Sequence, residues 1–403
     1  MSLDLTDVSA REYETIIYGN MSPKMAAEYL RQKRVCVRSF SQTLEQMYQG
    51  EDLLDRLVAF YQLLQPQIKQ ASIRKKIKNW LHERNGPKSR EDFFCIAFAL
   101  HLREVELNFL LGICTDYAIQ YRDAREAVLA WFLRTGKTYK EALSFLKDLP
   151  VVPKGTATFS SLLEELHPAE TMCDDHMFTF MLSRAEMEAL EESKRDVANI
   201  TRVIYQEFFQ VQTLEELRVC YLRNIDRFGK MHLRAYYYFE QYMEMLIKPV
   251  APLNQKEPDY SIDTIMNKYL LLHMPSGRRR ANFSVVQRLI KENWPNATAL
   301  KNIRNHLDDV PRKLLLLLYV ITENSDSWED YRETDEGYVS IEERVEDHWW
   351  TLNGMLSESG MAPLDLRNAF DWLILYAICT DGEEAMRDRL EGVINELFKD
   401  AVL

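Results

Sequence analysis

Apolar residues recur at intervals of three and four along almost the whole chain, as in Leu53, Leu54, Leu57, Val58 and Phe60, or in Phe239, Tyr242, Met243 and Leu246. That spacing places them on one side of an α-helix, and no run of four or more alternating residues is available to make a half-buried strand. An all-α protein is therefore expected, a multi-helix, multi-domain set of orthogonal bundles with roughly fifteen to eighteen helices. Only 13 Gly and 13 Pro punctuate the 403 residues, fewer than a strand-and-turn architecture uses. The longest apolar run, "LLLLLYVI" from Leu314 to Ile321, is too short to span a bilayer and reads as a fully buried helix, so no membrane is expected as a partner.

A chain this long outgrows a single core. Its breaks suggest where it divides. "KDLPVVPKGTAT", 147 to 158, and "KPVAPLNQKEPDYS", 248 to 261, concentrate proline and small polar residues, which predicts helical domains over 1–150, 151–250 and 251–403. A third stretch, 324 to 340, is acidic and polar and reads as a loop. The six cysteines (Cys36, Cys95, Cys114, Cys173, Cys220, Cys379) are dispersed, with no C-x-x-C pair, which predicts reduced thiols in helices. The opening "MSLDLTDVSAREYE" has neither a basic nor an apolar leader region, and the expected setting is cytoplasmic.

Charge is segregated. Against a net charge of −12, residues 69–90 hold eight basic residues and one acidic, and 278–313 hold nine basic and three acidic. Residues 323–347 hold eleven acidic and two basic. Such a molecule is electrostatically polarised whatever its sum. Within the first basic stretch, "SIRKKIKNWL", Ser72 is placed to cap a helix whose buried stripe is Ile73, Ile77, Trp80 and Leu81. Arg74, Lys75, Lys76 and Lys78 then project away from that stripe. Gly86 and Pro87 end the element, and Ser89 with Glu91 and Asp92 begins a helix that buries Phe93, Phe94, Ile96, Ala97 and Leu100. Val105, Leu107 and Leu110 carry the core onto a third helix.

In this order of residues the segment resembles the phage-repressor (Cro/XRE-type) helix-turn-helix domain, in degenerate form. Ser72, Ile77, Trp80, Gly86, Pro87, Phe93, Ile96, Ala97 and Leu100 match that family's polar cap, its Ile before an aromatic, its Gly-Pro region and its apolar "L..IA..L" helix. About three extra residues separate Trp80 from Gly86, and the preceding segment "LLQPQIKQA" carries Pro66 and lacks the family's usual turn glycine. The rest of the chain is similar to helical proteins of Firmicutes that begin with repressor-like segments. What the resemblance implies is a short basic helix presented to the major groove of double-stranded DNA.

A second copy strengthens the pattern. "TALKNIRNHL", 298 to 307, lies without gaps on 72 to 81: Lys75 meets Lys301, Ile77 meets Ile303, Lys78 meets Arg304, and Ser72 meets Thr298 as a capping residue. A Pro and basic residues then lead into an apolar helix in each copy, and "VVQRLIKENWPNA" precedes the second as a helix and turn. The candidate DNA-binding residues are thus Arg74, Lys75, Lys76, Lys78, Arg84, Lys88, Arg278, Arg279, Arg280, Lys301 and Arg304.

Chemistry-bearing constellations are sparse. Arg227 and His232 have the spacing seen in dimeric helical ribonucleases, with Gly229 between them marking a helix junction. His167, Cys173, Asp174, Asp175 and His176 cluster but lack the second close pair that a closed zinc site requires. Tyr238, Phe239, Tyr242, Trp349, Trp350, Trp372 and Tyr376 read as core. No nucleotide, hydrolase or metalloprotease motif is present. No catalytic residue, metal or cofactor is assigned. The expectation is a DNA-binding transcriptional regulator using basic helices. Its alternatives are an all-helical interaction scaffold, whose basic faces meet an acidic protein or another copy in a homo-oligomer, and a helical ribonuclease.

Overall fold

The computed structural model describes residues 7–32, 39–82, 86–87, 89–115, 117–152, 200–229, 233–247, 261–275, 283–305, 307–322, 340–380 and 384–401. In chain order its helices are α1 (Asp7–Tyr18), α2 (Pro23–Arg31), α3 (Phe40–Met47), α4 (Leu53–Leu64), α5 (Gln70–Leu81), α6 (Arg90–Leu100), α7 (Glu104–Cys114), α8 (Ala124–Arg134) and α9 (Tyr139–Lys147). After these come α10 (Ile200–Gln210), α11 (Leu214–Arg223), α12 (Leu233–Ile247), α13 (Ile262–Ile265, continued by a π turn over Met266–Leu270), α14 (Val285–Lys291) and α15 (Ala297–Arg304). The last four are α16 (Arg312–Thr322), α17 (Ile341–Glu358), α18 (Ala369–Ile378) and α19 (Met386–Phe398). Among the described residues there is no sheet, only an isolated bridge between Tyr117 and Met361. The protein is all-α. None of these helices is long and apolar enough to cross a membrane.

The chain forms two compact units. A central unit comprises Ser39–Arg234 and Glu358–Ala362, and a terminal unit comprises Met1–Arg38, Ala235–Ser357 and Pro363–Leu403. These do not match the three sequential domains read from the sequence. Long-range packing is the reason. In the terminal unit the amino-terminal hairpin α1–α2 lies on α18 and α19: Tyr376 donates to the Met21 carbonyl at 2.7 Å, and the Trp372 indole donates to Glu12 at 3.1 Å. In the central unit α10 and α11 return onto α8, where the Trp131 indole donates to the Val211 carbonyl at 3.0 Å. The break at 147–158 therefore separates helices of one core. Residues 153–158, most of 248–261 and most of 324–340 lie outside the described residues.

Each core is built round two helices that are apolar on every side, as burial on all faces requires. In the central unit these are α6, buried from Phe93 to Leu100, and α8, buried from Glu126 to Leu133. In the terminal unit they are α16, buried from Arg312 to Ile321 as the leucine run predicts, and α18, buried throughout. One-sided helices surround them. Examples are α4 through Leu57, Val58 and Tyr61, and α5 through Ile73, Ile77 and Trp80. On α7, Leu107 and Leu110 are buried as expected, but Val105 is 73% exposed because it falls on the opposite side of the helix. Tyr236, Phe239 and Tyr242 are the buried face of the aromatic run, while Tyr238 is only half-buried. Trp349 is buried, and its neighbour Trp350 turns out to solvent. Gly229 does mark a junction between α11 and α12, with a φ of 74° that a residue with a Cβ rarely adopts.

The two units repeat one plan. Asn108 on α7 accepts the amide of Ile119 at 2.9 Å, and Asn353 on α17 accepts the amide of Leu364 at 2.8 Å. Asp123 caps α8, and Asn368 caps α18. Three residues into each helix a carboxylate takes a backbone amide from the preceding loop: Glu126 from Gln120, and Asp371 from Asp365, both at 2.9 Å. Each carboxylate also receives an arginine that heads the other core helix, Arg90 of α6 at 2.6 and 2.8 Å, and Arg312 of α16 at 2.7 and 2.8 Å. Further along, Trp131 and Tyr376 bind the hairpin carbonyls already named. Arg134 then donates to the Phe208 carbonyl at 2.6 Å, and Cys379 to that of Ile16 at 3.7 Å. From Asn108 to Arg134 every residue stands at one constant distance along the sequence from its counterpart. The hairpin α10–α11 thus plays in the central unit the part that α1–α2 plays in the terminal unit.

Candidate nucleic-acid interface

Helix α5 begins two residues before Ser72. Lys69 occupies the N-cap without a side-chain bond, and the Ser72 amide already donates to the Lys69 carbonyl at 2.8 Å, so Ser72 is not the cap. The start is set by the short turn Gln65–Lys69, where the Ile68 amide closes onto the Gln65 carbonyl at 3.0 Å. The second copy differs from expectation in the same way: Asn296, not Thr298, caps α15. By contrast Ser89 caps α6 as read from the sequence, accepting the Asp92 amide.

The stripe Ile73, Ile77 and Trp80 is buried, and Arg74, Lys75, Lys76 and Lys78 are all exposed on the other side. Their roles then separate. Arg74 pairs with Asp55 of α4 at 2.7 Å. Lys76 pairs with Asp92 at 3.1 Å and sits 4.6 Å over the Trp80 ring and 5.0 Å over Tyr61, so its ammonium is held by a carboxylate and two π faces. Lys75 and Lys78 form no ion pair among the described residues. They are one turn apart on the outermost edge of the helix.

On α15 the same two positions carry Lys301 and Arg304, both exposed, over the buried Leu300 and Ile303. The match ends where α15 ends, at Asn305, so Leu307 is exposed while its counterpart Leu81 is half-buried within α5. In each unit the order is a helix, a short turn, the basic helix and then a fully buried helix headed by Arg90 or Arg312. Of the remaining candidates, Arg84, Lys88, Arg278, Arg279 and Arg280 lie outside the described residues.

The other constellations do not assemble. Arg227 is paired with Glu207 at 3.0 Å and contacts Asn224 at 3.1 Å, while His232 lies outside the described residues. So do His167, Cys173, Asp174, Asp175 and His176. Among the described residues no three His, Cys, Asp or Glu side chains converge as a metal site. None of Cys95, Cys114, Cys220 and Cys379 forms a disulfide, and burial raises Cys95 to about 12 and Cys220 to about 11, which keeps those two thiols un-ionised.

Sequence reasoning missed the twin Arg–carboxylate pairs. Their trace was present, since "DARE" at 123–126 and "NAFD" at 368–371 each place an acid three residues after an Asp or Asn cap. Compared with family models, with curated proteins and with solved structures, this chain matches none.

Proposed function

We propose that this protein is a DNA-binding regulator that contacts the phosphate backbone through two equivalent basic helices, α5 and α15, one in each unit. The observation that carries the reading is the matched placement of Lys75 and Lys78 on α5 and of Lys301 and Arg304 on α15, all exposed over equivalent buried isoleucines. Two long cations one turn apart suit adjacent phosphates, and their exposure lets them reach a duplex. The fixed partners of Arg74 and Lys76 supply orientation: they hold α5 by its edges and leave the Lys75–Lys78 edge outward. With a net charge of −12, attraction to DNA has to come from these local faces, so affinity is expected to be modest and steeply salt-dependent. The test is a fluorescence-anisotropy titration of the full chain against a labelled duplex at two salt concentrations. Saturable binding that weakens as salt rises supports the reading, and its absence at low salt rejects it.

A further inference from the structure

The likeness between α5 and α15 follows one side of each helix. Laid without gaps, Ala71 meets Ala297, Ser72 meets Thr298, Lys75 meets Lys301, Lys78 meets Arg304 and Asn79 meets Asn305. At about 100° per residue these five positions share one face, centred on Lys75 and opposite the buried stripe of Ile73, Ile77 and Trp80. All five are exposed on α15, and on α5 only Asn79 is half-buried. The flanks of the same two helices differ. Arg74 and Lys76, which are held by carboxylates on α5, meet the buried Leu300 and Asn302.

Packing does not ask for that agreement. A solvated helix face is what a fold constrains least, and the side chains of Ser72, Lys75, Asn79, Thr298, Lys301 and Asn305 form no hydrogen bond or ion pair among the described residues. An outward face that is repeated while its flanks diverge points to one kind of ligand met twice. Asparagine states the chemistry. Its amide sets an N–H donor beside a carbonyl acceptor, the complement of the N7 acceptor and N6 amino donor of adenine in the major groove, and no other base edge there matches both. Ala71 and Ala297, two turns before the asparagines, keep that end of each face low enough to approach a groove, and their methyl groups suit a thymine methyl.

Resting on the DNA-binding reading above, we propose that α5 and α15 read one and the same short element in the major groove of duplex DNA, each by pairing its asparagine, Asn79 or Asn305, with an adenine. The target is then a duplex that carries this element twice, once for each unit. Lys75 with Lys78, and Lys301 with Arg304, bind the phosphates beside it and fix the register of each helix. A chain that gripped the backbone alone would hold every sequence alike. Two like reading faces on one chain give a preference for doubled sites, because the second element is bound at high effective concentration once the first is held.

The test starts from duplexes randomised over about two helical turns and selected on the full-length wild-type chain at low salt. Selected sequences are expected to share a short adenine-containing element present in two copies. Replacing the adenines of those elements by 7-deazaadenine removes the N7 acceptor and leaves base pairing in place, and the affinity should fall about tenfold or more. Asn79→Ala with Asn305→Ala should lower the affinity for the selected duplex to that for an unselected one. Should this variant melt early, the 7-deazaadenine result decides, since it alters only the DNA. Salt-dependent binding with no enriched element, with an element present only once, or with a preference that survives the base analogue or the double variant would overturn this inference and leave the phosphate contacts standing. No salt-dependent binding of any duplex would overturn it together with the reading on which it rests.

Discussion

Arg312 and Asp371 face each other through two parallel hydrogen bonds of 2.7 and 2.8 Å inside the terminal unit, with side chains only 8% and 1% exposed. The guanidinium also donates to the Pro363 carbonyl, and the carboxylate takes the Asp365 amide, so the pair ties two core helices to the loop between α17 and α18. Removing one partner leaves the other buried without its counter-charge. Asp371→Ala is expected to destabilise the protein by about 3–5 kcal/mol, whereas Arg312→Met combined with Asp371→Leu should lose less than either single change. Chemical denaturation of the three variants measures this. The Arg90–Glu126 pair is more exposed, at 25% and 10%, and Glu126→Ala should lose less than Asp371→Ala.

The shared plan of the two units makes a paired prediction about their hairpins. Tyr376→Phe removes the bond to the Met21 carbonyl, and Trp131→Phe removes the bond to the Val211 carbonyl. Trp131→Phe is expected to cost about 1–3 kcal/mol, because the buried Val211 carbonyl loses its indole donor, and Tyr376→Phe about 0.5–1.5 kcal/mol, because the Arg389 guanidinium still reaches the Met21 carbonyl at 3.5 Å. Hydrogen exchange should localise the effects: Tyr376→Phe accelerates exchange in α1 and α2, and Trp131→Phe in α10 and α11. Equal acceleration of both hairpins by either change would contradict the proposed equivalence.

Glu12 carries a carboxyl into the interior of α1, where its counterpart on α10 is Ile204. Burial raises its pKa, and the bonds from Trp372 and Tyr29 only partly offset that. A raised carboxyl pKa means that the folded state holds the proton more tightly than the unfolded state. Glu12 therefore favours folding below pH 4.5, and that contribution is lost as pH rises through its folded pKa. Glu12→Gln should abolish this alkaline-side decline, measured as the stability difference from wild type across pH 4 to 8. His348, bound to Tyr319, acts in the opposite direction. Its pKa is lowered by burial, so its contribution is present above 6.5 and lost as pH falls through its folded pKa. Wild-type curves sum both effects, and only the difference curve isolates Glu12.

Much of the architecture is written locally. The leucine run became the buried helix α16, the Ser89 cap starts α6, and the Ile73, Ile77 and Trp80 stripe faces the core because these follow from periodicity and capping within a dozen residues. The division into units is not local. It depends on Met21 meeting Tyr376 and Val211 meeting Trp131, across stretches of chain that no window of sequence contains. The repeat was legible only over 72–81 and 298–307 because elsewhere unlike residues fill like roles. Trp131 and Tyr376 are both indole or phenol donors, Glu126 and Asp371 differ by a methylene, and Arg134 is matched by a thiol. Of the basic candidates, Arg74, Lys75, Lys76 and Lys78 of α5 project away from the buried stripe, as its periodicity predicts. The carboxylates that engage Arg74 and Lys76 come from α4 and from the start of α6, so their capture could not be read from α5 alone.

That capture decides how the DNA-binding reading is best tested. Reversing Lys76 would set a carboxylate beside Asp92 and remove a cation from Trp80 and Tyr61, so Lys76→Glu should lower the melting temperature and would confuse a binding assay. Lys75→Glu with Lys78→Glu touches neither, and helicity and melting temperature should be unchanged. If α5 binds phosphates, this double change should abolish binding at moderate salt. Each phosphate left without its cation also flattens the dependence of log affinity on log salt by roughly one unit, so up to about two units should disappear. Lys301→Glu with Arg304→Glu should produce a separate weakening of similar slope, and the four changes together should leave no salt-dependent binding. A duplex affinity that survives all four substitutions, with its salt slope intact, would remove α5 and α15 from the interface.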